Sequence, residues 1–481
     1  MRKTISAAAM LASVLLLSAC GSAETASSDS NTADSASAAE SAVSDASVFP
    51  DVTFDGEEIL FLTEECTFAD TYTSFEIYSP GADGSLINDT VYNRNLIIEE
   101  QFDIRICEER LQNASKTAYS SILAGDDQYD VVLPYLNSSV SNALQGQYYN
   151  LYDVEYLHLE NSWWDQRANA NLEVGGQLYF TTGDISILDN DCTMVMFFNK
   201  QMLAENDLED PYALVKDGKW TIDNLFAMCS DLTTDLNGDD KLQTEHDRFG
   251  LFCAHNTPHS LFFASGERIV TTDDDGTLQL VMNNERSAEA VTAILDYCLD
   301  KKHMTGDFAL SSAAFNEGRL LFAGWALADI NSIRNCEYDF GILPYPKYDE
   351  NQTEYYCLIS TGLTPGVSIP VTNNEPEKAG LILEAMAYYS VDTLTHAYYD
   401  TALNDRYIRD AESGEMLDII FASRVYDFGY INNIGGLGDL IQQMFQSRKN
   451  NFVSRYEALE SKAQSALDDL VAAFAEAEAA N

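Results

Sequence analysis

Basic residues are scarce: 27 Lys and Arg stand against 77 Asp and Glu in 481 residues, a formal net charge of −50. A chain this acidic repels both the phosphate backbone of nucleic acids and anionic lipid headgroups, so neither is expected as a partner. No CxxC pair occurs, and the eight cysteines that follow Cys20 are widely spaced, so buried free thiols fit them at least as well as disulfide bridges. There is no GxSxG elbow, no HExxH, no Walker loop and no GxGxxG, which leaves the common hydrolase, metallopeptidase, nucleotide and dinucleotide chemistries without support. Beyond the N-terminus no run of about 20 apolar residues offers a membrane span.

What is present begins with an export signal. Arg2 and Lys3 precede an apolar run from Ala7 to Leu17 that ends in small residues before Cys20. Leu17-Ser-Ala-Cys-Gly resembles the bacterial lipobox, which implies cleavage after residue 19, acylation of Cys20 and a lipid anchor on the outer face of the cell membrane. Residues 20–48 are almost wholly small or acidic; such a segment cannot bury enough surface to offset its ordering entropy and reads as a flexible tether. The body that follows is long for one core and predicts two lobes, 49–187 with 352–400 and 188–351 with 401–481.

Strand-like runs alternate with helical periodicity in the first part of the body. Glu58-Ile-Leu-Phe-Leu-Thr, Phe102-Asp-Ile-Arg-Ile-Cys and Tyr129-Asp-Val-Val-Leu read as strands separated by helices, the pattern of α/β units with parallel strands. Ligands in such sheets lie beyond the carboxyl ends of the strands, which places Glu64, Glu65, Tyr135, Asn137 and Ser138 toward a crevice. Gln177–Thr182 and Thr193–Phe198 read as two further strands flanking a polar loop, Gly183–Asp191, taken as the passage from one lobe to the other. A helix opens after Thr221 as N-cap, and another from Asn284 carries Val291, Ile294, Leu295 and Cys298 on one face. Leu320–Phe322 reads as a short strand, with a turn at Gly324 and Trp325 opening a helix. Strand-to-proline units follow at Tyr338–Pro346 and Gly366–Pro370, the first pointing to a second crossing near residues 344–355. Phe452, Tyr456, Leu459, Ala463, Leu467, Leu470 and Phe474 recur every three or four residues and predict a C-terminal amphipathic helix.

One loop carries oxygen donors at calcium-loop spacing. Asp235, Asn237 and Asp239 occupy the first, third and fifth places, Lys241 the seventh, and Glu245 and Asp247 flank the position where a bidentate carboxylate is needed. The sixth place is Asp240 rather than Gly, so a structural Ca²⁺ and an unmetallated polar turn both remain open. No other cofactor is expected. His255 and His259 have i, i+4 spacing, but Pro258 between them argues against the helix that a zinc pair needs.

Taken in order, Tyr129-Asp-Val-Val, Gly176-Gln-Leu-Tyr-Phe with Phe198-Asn-Lys, Phe315-Asn-Glu-Gly leading to Gly324-Trp325, and Gly341-Ile-Leu-Pro-Tyr-Pro-Lys carry a resemblance. The chain resembles the extracellular solute-binding proteins (family 1) of bacterial carbohydrate ABC transporters, the family of the maltose-binding proteins. The resemblance implies an α/β, two-lobed, type II periplasmic-binding-protein-like fold with a hinge of crossing strands and a helical C-terminus. It implies a monomer that closes on a sugar or oligosaccharide and docks on the permease subunits of an importer, without turnover. It places Trp325 as a ring that stacks on sugar and His259 on the loop entering the second lobe's face of the cleft. Tyr135 and Asn137 follow the third strand as polar and aromatic contacts; Asp184 at the crossing, Trp164 before it and Glu65 after the first strand complete the expected set. Two alternatives stand beside this reading: a surface glycoside-active enzyme, for which two suitably spaced carboxylates suffice, and a binding lipoprotein that serves a sensor rather than transport.

Overall fold

The structure is a computed structural model and describes residues 48–273, 276–300, 302–303, 306, 308–333, 336–400 and 411–480. The signal segment, Cys20 and the tether up to residue 47 lie outside the described residues. One unit runs from Asp51 to Asn481.

Its first sheet is built from β1 (Glu57–Glu64), β2 (Ile104–Leu111) and β3 (Val131–Leu133), in the order β2-β1-β3 and parallel throughout. Ile59, Phe61 and Leu62 of the central strand are fully buried, as expected where helices cover both faces of a parallel sheet. The helices Leu86–Phe102 and Ala114–Ala124 make the crossovers, and Gly125 closes the second with a left-handed backbone at φ 75°. Residues 177–182, expected as a strand, form only an extended segment: Thr181 bridges Val367, while Val132 bridges Ser368. The return segment around Gly366–Ser368 thus lies between them and pairs with Thr181, while Gln177 bonds to Val174 and Leu178 to Asn150 and Leu151, so Gln177–Thr182 forms no regular ladder.

The second sheet contains β4 (Met194–Asn199), β5 (Phe249–Phe252), β8 (Leu320–Ala326) and β9 (Phe340–Leu343), ordered β5-β8-β4-β9. A small hairpin of β6 (Val270–Thr272) and β7 (Leu278–Leu280) stands apart from it. The sheet is mixed rather than parallel: β4 runs antiparallel to both β8 and β9, and only β5 and β8 are parallel. All seven residues of β8 are buried. This strand continues through Gly324 and Trp325 instead of turning at Gly324. The glycine is there because the Tyr345 hydroxyl occupies the space that a Cβ would fill, so it marks a close approach, not a turn.

Two segments pass between the sheets side by side. The outgoing one, Gly183–Thr193, contains one helical turn, Leu188–Asp191. The returning one follows β10 (Cys357–Leu358), which pairs with β11 (Arg424–Val425). Thr193 bridges Ile359, and Ser360 N–H donates to the Cys192 carbonyl at 2.9 Å. The second crossing therefore lies at 357–364, not at 344–355. Residues of the latter stretch are held on the second sheet's side, where Lys347 exchanges backbone hydrogen bonds with Trp220 and Ile222.

The N-cap at Thr221 is present, its hydroxyl accepting from Asn224 N–H at 3.3 Å. The final helix, Phe452–Ala480, buries Phe452, Tyr456, Ala463, Leu467, Leu470 and Phe474 along one stripe, and Phe474 stacks on Tyr179 with centroids 5.1 Å apart.

Candidate ligand site between the two sheets

Most polar side chains of the outgoing crossing have hydrogen-bond partners on neighbouring elements. Glu76, 2 % exposed, accepts from Ser186 Oγ at 2.7 Å and Ile187 N–H at 2.9 Å. Arg424 on β11 donates to Asp189 Oδ2 and Asn190 Oδ1, both at 2.8 Å. Tyr398 Oη donates to Asp191 Oδ1 at 2.7 Å. These contacts clamp the crossing to elements on either side of it.

Beside the crossing is a cavity of about 640 Å³ with walls from both sheets. Phe68 and Tyr72 come from the segment after β1. His255 and Asn256 follow β5, and Trp325 and Asp329 come from the end of β8 and the short helix Leu327–Ser332. Phe308 and Leu363 complete the apolar lining. Tyr72 Oη donates to Asp329 Oδ1 at 2.6 Å, a hydrogen bond that joins the two sides. Trp325 is held by Phe308 and Phe315, with centroids 5.4 and 5.6 Å away, and by Phe197 and Phe252. Its ring is 3 % exposed, yet Nε1–H has no hydrogen-bond partner; Asn256 Oδ1 is likewise buried and unpartnered. Phe68 is 70 % exposed at the same cavity.

The other expected residues are spread over different surroundings. Tyr135 lines a separate cavity of about 400 Å³ at the carboxyl ends of β1 and β3, with Glu64 and Ser138, and its hydroxyl approaches the Tyr72 carbonyl at 3.4 Å. Asn137 is exposed beside the return crossing, its N–H bonded to the Thr361 carbonyl at 3.2 Å, and Glu65 is exposed and lines none of these cavities. Asp184 and Trp164 share a small polar cavity of about 90 Å³ with Arg424 and Asp189, away from Trp325. The Trp164 indole is 1 % exposed and donates to Glu384 Oε2 at 2.8 Å, so it serves packing. His259 sits one helical turn behind the cavity wall, stacked on Phe263 and against Tyr430, and burial pushes its pKa down to about 3. The helix Thr257–Ala264 starts after His255, with Pro258 in its first turn, so the two histidines do not share a helical face.

The 235–247 loop spends its oxygens on itself. Asp235 accepts from Gly238 N–H at 2.7 Å and Asp240 N–H at 2.8 Å, Asn237 from Asp239 N–H, and Asp239 from Lys241 N–H. Asp247 is buried and accepts from Gln243 N–H at 2.6 Å and Leu236 N–H at 3.0 Å; the Gln243 amide holds its carboxyl below the usual range. Lys241 and Glu245 are exposed. Among the described residues no three His, Cys, Asp or Glu side chains converge as metal ligands do.

Sequence reasoning missed Phe68, Tyr72, Asn256 and Asp329. A signal existed for some of them: Phe68 and Tyr72 lie just beyond Glu65, on the segment leaving the carboxyl end of β1, and Asp329 lies one turn after Trp325.

Burial also sets a pH dependence. It pushes Asp184 and Asp329 up to about 6 and Asp189 up to about 7. Between about pH 4, the ordinary carboxyl range, and these values each group holds a proton in the folded chain that the unfolded chain has released. Folding stability contributed by these groups therefore falls as pH rises through that window. The melting temperature should be higher at about pH 5 than at about pH 7.5 by differential scanning fluorimetry. A melting temperature that climbs over that interval contradicts the assignment.

No protein-family profile and no curated protein sequence matches the chain. Solved structures do. A cyclo/maltodextrin-binding protein complexed with maltotetraose aligns at TM-score 0.56 and 14% identity, covering 87% of this chain and 96% of that one. UspC of M. tuberculosis aligns at TM-score 0.55 and 14% identity, over 85% and 100% of the two chains. An ABC substrate-binding protein from Listeria monocytogenes, in complex with cycloalternan, aligns at TM-score 0.52 and 13% identity, over 86% and 98%. The chain has the type II periplasmic-binding-protein fold.

Proposed function

We propose that the protein is a sugar receptor of an ABC importer, holding a sugar or oligosaccharide in the cavity between Tyr72 and Trp325 and passing it to a permease. The carrying observation is the unpartnered pair on the cavity wall, Trp325 Nε1–H and Asn256 Oδ1. A buried polar atom without a partner costs about 1–3 kcal/mol, and ligand hydroxyls, which donate and accept, relieve both. Phe68 and Phe308, both exposed at the cavity, supply apolar planes for the C–H faces of sugar rings. The solved neighbours holding maltotetraose and cycloalternan support this class of ligand.

Residues 49–187 with the chain from the return crossing to residue 400 are assigned to one lobe and 188–356 with 401–481 to the other, moving about the paired crossings. Cys20 is assigned as the acylated N-terminus of the mature chain, anchoring a monomer outside the cell. No described helix is long and apolar enough to cross a membrane. The protein is read as a receptor without turnover, a reading supported by solved neighbours that are binding proteins.

Calorimetry against a glycan panel, with mass analysis of the recovered glycan, tests the reading. The expected result is saturable binding of intact glycan, weakened about tenfold in Phe68→Ala, the ~1.4 kcal/mol of one aromatic–sugar face. Cleaved glycan, or no binding by any member, contradicts it.

A further inference from the structure

The cavity contains a carboxylate, and its setting bears on which glycans can enter. Asp329 lies at the wall, largely buried, fixed by the Tyr72 hydroxyl at 2.6 Å on one oxygen and by Ala326 N–H at 3.2 Å on the other. Among the described lining residues there is no Lys or Arg to offset it. The unpartnered groups on the cavity wall, Trp325 Nε1–H and Asn256 Oδ1, are neutral. A second carboxylate brought into this volume meets a like charge in a partly desolvated site, where Coulomb repulsion is several times stronger than in water. Sugar hydroxyls, in contrast, can donate to the free lone pairs of Asp329.

We propose, resting on the sugar-receptor reading, that Asp329 makes the site selective for neutral oligosaccharides and excludes glycans carrying carboxylate or sulfate groups. The size of the cavity fits a short oligosaccharide of this kind. Discrimination comes from the local charge on Asp329 and not from the net charge of −50 over the whole chain. The distinction is physical: the Debye length is about 8 Å at physiological ionic strength and about 3 Å at 1 M, so repulsion from surface charges fades with salt whereas repulsion across a buried site does not.

The test uses maltotriose, cellotriose, mannotriose and raffinose, each before and after TEMPO oxidation, which converts the primary CH2OH groups to carboxylates. Affinities are measured by calorimetry on the mature chain at about 0.1 and 1 M NaCl. At least one neutral sugar is expected to bind, with its oxidised form weaker by about 100-fold or more at both salt concentrations. Asp329→Asn keeps an acceptor for the Tyr72 hydroxyl and should shrink that gap to about tenfold or less, whereas Tyr72→Phe, which keeps the charge, should preserve it. Equal binding of the two forms, a gap that vanishes at high salt, or a gap unchanged in Asp329→Asn overturns the charge-selection proposal while leaving the receptor reading intact. Failure of every sugar, neutral and oxidised, to bind overturns the receptor reading itself, and the selectivity with it.

Discussion

Replacing Arg424 with methionine is expected to remove about 3–5 kcal/mol of folding stability at about pH 8. Arg424 Nη2 lies 2.9 Å from Asp165 Oδ2 and Nη1 lies 2.8 Å from Asp189 Oδ2, and the two carboxylates are 5 % and 3 % exposed. Without the guanidinium, two buried negative charges face each other beside Asp184, with Tyr426 Oη at 2.8 Å and the Arg167 and Ala168 N–H groups still donating to Asp165, and Asn190 N–H to Asp189 at 2.8 Å, but with the compensating charge gone. The loss has a pH signature. Burial already pushes Asp189 up to about 7, so at about pH 5 the orphaned carboxyls can take protons and shed their charge. The destabilisation, read from urea unfolding at the two pH values, should therefore be smaller at the lower one. A loss under about 1 kcal/mol at pH 8, or a larger loss at pH 5, contradicts this account of the crossing.

Glu384→Ala should be similarly costly, about 3–5 kcal/mol. This carboxylate is 2 % exposed and satisfies four donors: Asn161 Nδ2 at 2.8 Å and Trp163 Nε1 at 3.0 Å on one oxygen, Trp164 Nε1 at 2.8 Å and His158 N–H at 3.1 Å on the other. Alanine leaves all four without this acceptor, the fully buried Trp164 indole among them, and the lost acceptor also frees the Trp164 ring. That ring packs against Gly183, where any Cβ would collide with the Trp163 carbonyl and the Trp164 backbone, so the effect reaches the start of the crossing. Glu384→Gln retains one acceptor oxygen and should lose about half as much. Urea unfolding followed by tryptophan fluorescence checks both; an alanine variant within about 1 kcal/mol of the parent contradicts the role given to the carboxylate.

The elements legible in the sequence were those whose signal is local. The runs around Ile59, Ile104 and Val131 became three parallel strands, and the stripe from Phe452 to Phe474 became one face of a helix, because periodicity and β-branched content act within the segment itself. Gly324 misled for a reason no local pattern contains: its missing side chain answers Tyr345, twenty-one residues away in sequence and adjacent only in space. Gln177–Thr182 forms no ladder although its pattern is that of a strand, because Gln177 bonds to Val174 and Leu178 to Asn150 and Leu151.

The site was legible where a single ring is distinctive. Trp325 does line the cavity between the sheets. Asp184 and Trp164 were chosen for proximity to the crossing, but a crossing has two sides, and burial with Arg424 and Glu384 puts these residues in another cavity. His255, before the helix, reaches the cavity, and His259, inside its first turns, faces the core, a difference that helix geometry sets and spacing alone does not. In the 235–247 loop the spacing does not separate a turn from a metal loop, because both use the same residue types; the oxygens of Asp235 and Asp247 accept from backbone N–H groups.

The chain's four tryptophans make the central claim directly observable. Three indole N–H groups already have acceptors, Trp163 and Trp164 on Glu384 and Trp220 on the Pro344 carbonyl at 2.9 Å; Trp325 Nε1–H has none. In a ¹H–¹⁵N spectrum of the indole region, titrated with a glycan that calorimetry shows to bind, the Trp325 resonance, assigned through Trp325→Phe, should move downfield as it gains an acceptor while the other three hold their positions. Saturable glycan binding with an unmoved Trp325 resonance would contradict the site between the two sheets.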